Sequence, residues 1–111
     1  MAYVYLLGDS GKDGSFKIGV TRGSIEKRIK KLQTGNDSDI YLVAYYETNN
    51  AFYVEKMMHL KYCSKQIMNE WYKLDTNDVG SFQKTCGEIE ERAMALKDNP
   101  FFKKKFNYVE T

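Results

Sequence analysis

Tyr3-Val4-Tyr5-Leu6-Leu7, the polar stretch Gly8-Asp9-Ser10-Gly11-Lys12-Asp13-Gly14, and Phe16-Lys17-Ile18-Gly19-Val20 decide the fold. Two short apolar, aromatic-rich runs flank a tip of Gly, Asp and Ser, which is the pattern of a β-hairpin. A lone hairpin is marginal in water and needs further elements to cover it. Those lie downstream. Ser24 can cap a helix in which Ile25, Ile29 and Leu32 recur at helical spacing, with Gly35 as its stop, so the first helix spans Ser24 to Thr34. Ile40 to Glu47, rich in Val, Ile and Tyr, reads as a third strand, after which Asn49 or Asn50 opens a helix running to Cys63. Beyond a short extended segment, Glu70 to Leu74, Thr76 can cap a last helix over about 76–97, with Val79, Phe82, Cys86, Ile89, Ala93 and Leu96 on one face. This order implies an α+β fold: a small, mostly antiparallel three-stranded sheet flanked by helices, with a C-terminal helix.

With 111 residues, 42% hydrophobic and 29% charged, the chain has the makeup of one globular domain, and six Phe, nine Tyr and one Trp supply a core without disulfides. The domain is expected over 1–98. A tail at 99–111 interleaves Phe101, Phe102, Phe106 and Tyr108 with Lys103, Lys104 and Lys105, which suits base stacking on nucleic acid, a docked terminal segment or a dimer contact. Two cysteines are too few for a disulfide framework, no signal peptide is visible, and no apolar run approaches the ~18 residues of a membrane span. A cytoplasmic protein with no membrane partner is expected. The net charge of +2 conceals a bias: residues 1–35 hold seven Lys or Arg against three Asp or Glu, a surplus of four. A polyanion would meet a basic front end.

Two charges stand where helical periodicity asks for apolar residues. Arg28 lies three residues after Ile25 and four before Leu32, and Glu55 lies among Ala51, Phe52, Met58 and Tyr62 on the second helix. Burying either unpaired would cost several kcal/mol. One explanation is a structural pair between them, or snorkelling at the margin of the stripe. The other is a cleft in which Arg28 binds an anion and Glu55 a cation, the combination that phosphodiester hydrolysis requires: an arginine neutralises the phosphoryl oxygens and a carboxylate-held metal the leaving oxygen. A base for water would still be needed.

Taken in order, Tyr3-Val4-Tyr5, Lys17-Ile18-Gly19, Glu26-Lys27-Arg28, Glu55 with His59, and Glu70-Trp71-Tyr72 resemble the GIY-YIG nuclease superfamily. The closest likeness is to its short branch in phage, viral and fungal open reading frames, whose second motif reads KIG. The resemblance covers Tyr3 to Leu74. It implies an endonuclease that cleaves nucleic acid, DNA ahead of RNA, in a cytoplasm or the interior of an infected host. It implies that Tyr5 helps activate the attacking water, a role for which tyrosine needs a neighbouring cation. It implies that Arg28 holds the scissile phosphate and that Glu55 ligates a single Mg²⁺ or Mn²⁺ with waters completing its shell. Lys17 stands where many members carry a second tyrosine, so it either acts on Tyr5, contacts phosphate, or is a strand-edge lysine. Gly23 adds a residue before Arg28 relative to the commoner spacing, and the asparagine that many members place late in the domain has no clear counterpart.

His59 falls one turn after Glu55. It is either a satisfied half-buried histidine or the group that orients Glu55 or protonates the leaving oxygen. A zinc site from His59, Cys63 and Cys86 would have three ligands and no paired cysteines, a poor match to zinc chemistry. So short a chain leaves no room for a separate reader of sequence, which points to weak specificity, a homodimer or a specificity partner.

Overall fold

The structure, a computed structural model, describes residues 1–96; the expected tail at 99–111 lies outside the described residues. Strand β1 (Ala2–Asp9) and strand β2 (Ser15–Thr21) form the hairpin, with Tyr5 opposite Gly19 and Leu7 opposite Lys17. Helix α1 (Ile25–Gln33) follows, then β3 (Ile40–Thr48) and helix α2 (Ala51–Lys61). A short 3₁₀ turn, Cys63–Lys65, leads into β4 (Gln66–Met68) and β5 (Trp71–Lys73), and helices α3 (Thr76–Gly80) and α4 (Phe82–Leu96) close the described chain.

The sheet has five strands in the order β3-β1-β2-β5-β4, with every pairing antiparallel. The three-stranded expectation is therefore overturned. Ser15, Phe16 and Lys17 of β2 pair with Lys73, Tyr72 and Trp71, so the extended segment after Glu70 completes the outer edge of the hairpin. Strand β4 escapes sequence reading because all three of its residues are exposed and carry no alternation of burial. A turn through Asn69, at φ 53°, folds it back on β5.

Successive side chains of β1 point to opposite faces, and both faces are covered. Val4 and Leu6, with Ile18 of β2, enter the main core with Val54 and Met58 of α2 and Phe82, Cys86 and Ile89 of α4. Tyr5 and Leu7 face the other way, where Ile40 and the half-buried Ile25, Ile29 and Leu32 of α1 meet them. That double burial explains why Tyr3 to Leu7 reads as a nearly continuous apolar run.

Helix α1 is bounded as its sequence dictates: the Ser24 side chain accepts from the Lys27 amide at 3.3 Å, and Gly35 takes φ 79° beyond the last turn. At α2, Asn50 holds the N-cap position, but its amide donates to Glu90 Oε2 at 3.4 Å instead of capping. The single last helix expected from Thr76 is two. Asp75, not Thr76, is the cap, with a full capping box through Asp78, and the backbone breaks at Ser81 before α4 begins. Val79 and Phe82 are three residues apart across that break, so the apolar spacing ran through it unmarked.

Candidate active site

The second core face is only part covered. Helix α1 lies over its β1 and β3 end, while β2 and β5 carry Lys17 and Trp71 on the same side, because directly paired residues share a face. The polar groups gather along this boundary. Tyr5 is 1% exposed, and its ring lies across Gly19 so closely that a Cβ there would sit 2.4 Å from the phenolic oxygen. Only glycine leaves room for the ring, which gives the glycine of the second motif a physical reason. Arg28 Nε donates to the Tyr5 oxygen at 3.2 Å. The guanidinium is held above the ordinary arginine range by that hydrogen bond first, then by charge on Tyr5, against partial burial, with Glu70 adding a smaller pull. Arg28 is a fixed cation whose planar fork keeps further donors for an anion.

On α2, Glu55 Oε2 stands 3.6 Å from His59 Nε2, and both side chains are about one-fifth exposed, at 19% and 23%. The other ring nitrogen of His59 is hydrogen-bonded to the Tyr72 hydroxyl, which burial first, and then the charges of Glu70 and Glu55, keep protonated above the usual tyrosine range. Tyr72 thereby fixes the imidazole's orientation. Glu70, at the turn into β5, is the residue that joins the two halves. Its carboxylate meets Lys17 Nζ at 2.9 Å, and one carboxylate oxygen each of Glu70 and Glu55 and one His59 nitrogen all lie within 4.8 Å of one another. An open depression of ≈ 410 Å³ runs past Glu55, His59, Glu70 and Tyr72. Two carboxylates and one imidazole beside open solvent form a donor set that can hold a divalent cation with waters.

The structure thus brings together Tyr5 with Arg28, Glu55 with His59, and Lys17 with Glu70. No ion pair joins Arg28 to Glu55 among the described residues, so mutual pairing does not explain those two charges. Phe52, expected beside Glu55 on the buried face, is 44% exposed and lies under the Arg22 guanidinium. Cys63 is exposed and Cys86 buried, and neither belongs to a ligating group among the described residues. Glu70 is the residue missed as a site component. Its sequence signal was adjacency to Trp71-Tyr72, but its place depends on the β4–β5 turn.

Fold and site together define a small α+β domain in which charged and aromatic polar side chains gather along an antiparallel sheet. The chain belongs to the T5orf172 domain family, whose model matches residues 2–93. No curated protein and no solved structure matches it. No helix among the described residues is long and apolar enough to cross a membrane.

Proposed function

We propose that this protein is a divalent-metal-dependent endonuclease of the GIY-YIG kind, hydrolysing phosphodiester bonds of nucleic acid, DNA ahead of RNA. The observation that carries the reading is the Arg28–Tyr5 hydrogen bond at 3.2 Å over Gly19, set on the sheet face that Lys17 shares and linked through Glu70 to Glu55 and His59. On this reading Arg28 is the anion-binding cation, Tyr5 the phenolic oxygen beside it, and Glu55, His59 and Glu70 the metal donors, with the Lys17–Glu70 pair as the link between the two groups. In its phenolate form, the Tyr5 oxygen that Arg28 orients would accept the proton of the water as it attacks phosphorus. The remaining donors of Arg28 suit the phosphoryl oxygens, whose charge grows as the new P–O bond forms. Glu55 and Glu70, with His59, are the residues that would hold the metal. Bound there, Mg²⁺ or Mn²⁺ supplies charge neutralisation at the leaving oxygen. Tyr72 keeps the His59 ring oriented, and Lys17 keeps Glu70 oriented.

The test is nicking of supercoiled plasmid by the purified protein in Mg²⁺ or Mn²⁺ and in EDTA, alongside Glu55→Ala with its fold checked by circular dichroism. Cleavage that needs the metal and vanishes in a folded Glu55→Ala protein is the expected result. Undiminished cleavage by Glu55→Ala overturns the reading. Binding without cleavage in any divalent metal would instead identify a non-catalytic nucleic-acid-binding module on the same fold.

A further inference from the structure

Trp71 has no part in the chemistry above, yet it stands on the open half of the same sheet face. It is paired with Lys17 in register, and its ring is only half-buried. Lys12 Nζ lies 5.0 Å from the ring centroid and Lys17 Nζ 5.9 Å, so two ammonium groups border one indole. Their situations differ. Lys17 is 12% exposed and neutralised by Glu70 at 2.9 Å. Lys12 is 51% exposed, and its nearest carboxylate, Asp9, is 4.0 Å away. Asp9 is engaged elsewhere, by the Gly11 amide at 2.9 Å, by Asn36 at 3.2 Å and by the Ser38 hydroxyl. The positive charge beside the indole is therefore poorly compensated, and an exposed lysine resting on a half-buried ring is easily displaced from it.

The position of this patch relative to the cleft is set by the strands. Trp71 is level with Lys17, two residues along β2 from the Gly19 that seats Tyr5, roughly 7 Å, and on the neighbouring strand, about 4.8 Å across. A nucleotide adjoining the one held at Arg28 would bring its base to the indole and its phosphate to Lys12. A base inside a duplex offers no free face to an indole, so the arrangement selects bases that are already unstacked.

We infer that Trp71 and Lys12 form a nucleotide-binding platform that takes an unpaired base of a nucleic-acid strand, stacked on the indole, with its phosphate at Lys12. The inference rests on the nuclease reading for the identity of the polymer, and it adds a preference: single-stranded or locally unpaired substrate over intact duplex.

Trp71 is the only tryptophan in the chain, so its fluorescence reports on this one surface. In EDTA, to prevent cleavage, a single-stranded oligonucleotide should quench it saturably, and a blunt duplex of the same sequence should do so more weakly. By anisotropy of a labelled oligonucleotide, Trp71→Ala should weaken single-strand binding about tenfold or more, while Trp71→Phe should retain most of it. Lys12→Gln, at an exposed site, should lower the slope of log affinity against log salt by ~0.7, as loss of one phosphate contact on a single strand requires. Saturating single-strand binding with no change in Trp71 fluorescence overturns the platform, as does equal quenching by duplex, or an unchanged salt slope in Lys12→Gln. If plasmid is nicked and the fluorescence is silent, the platform fails and the nuclease reading stands. If the fluorescence responds and nothing is cleaved, the platform stands and the nuclease reading fails.

Discussion

At the scale of single residues, the contact between Gly19 and Tyr5 makes the strongest demand. Gly19→Ala would place a methyl 2.4 Å from the Tyr5 oxygen. The ring must move, at a cost of about 1–3 kcal/mol, and Arg28 loses its seat. We expect a lowered melting temperature together with cleavage reduced about 100-fold, as an ångström of misplacement can bring. Tyr5→Phe separates the two effects. It keeps the ring and loses only the hydrogen bond from the charged Arg28, so stability should fall by no more than about 3 kcal/mol, while kcat should fall by roughly 10²–10⁴ if the hydroxyl handles a proton. Equal kcat in Tyr5→Phe and wild type would exclude that role. Arg28→Lys should also be severely impaired, because an ammonium cannot both reach Tyr5 and offer a planar fork to phosphate. Arg28 and Glu55 stand out in the sequence because each breaks an apolar helical stripe, and His59 because it falls one turn after Glu55, whereas Tyr5 and Lys17 are singled out only by the family resemblance. What could not be read was who partners whom: Arg28 with Tyr5, 23 residues away, and Lys17 with Glu70.

At the scale of elements, local signals were legible where the physics is local. The hairpin, the Ser24 cap and the Gly35 stop follow from residues a few positions apart. Elements held by distant pairing were not. Strand β4 exists because β5 offers it an edge and Asn69 accepts a positive φ, neither of which its own three residues announce. Glu70 rides on that turn, so the missed strand and the missed site residue are one omission. The split between α3 and α4 was hidden for the opposite reason, since apolar spacing continued through it. Its device is the Asp75 capping box, in which Asp75 accepts from the Asp78 amide at 2.8 Å and the Asp78 carboxylate accepts from the Asp75 amide at 3.1 Å. Lys65 reinforces it at 2.6 Å. Asp75→Ala should cost about 1 kcal/mol, read as a drop of several degrees in melting temperature, with cleavage per folded molecule unchanged. A loss of activity without loss of stability would show that α3 touches the site.

At the scale of the whole molecule, acid should loosen the fold through two carboxylates. The Ser38 hydroxyl, opposed by burial and aided by the Gly11 amide and Asn36, holds Asp9 below its ordinary 3.8. Burial works against ionised Asp78, but Lys65 and the Asp75 amide outweigh it, and Asp78 too lies below 3.8. A folded-state value below the unfolded one means that each contribution is fully present above about pH 4 and is lost as the pH falls through the folded value. Urea midpoints should therefore fall from pH 5 to pH 2, and Asp9→Asn should flatten that dependence; an equally steep fall in Asp9→Asn would remove Asp9 from the account. The α+β class was readable from the order of elements, whereas the five-strand order was not, because residues 15–17 meet 71–73 across most of the domain. Among the backbone bonds of that closure is one from the Ile18 amide to the Glu70 carbonyl at 3.1 Å. Ile18 lies on the hairpin, whose pairing is local, whereas Glu70 belongs to a segment far along the chain. The Ile18 amide proton is thus a gauge of the cleft: deuterium should enter it in proportion to how often β5 is lifted away, however firmly the hairpin around it is held.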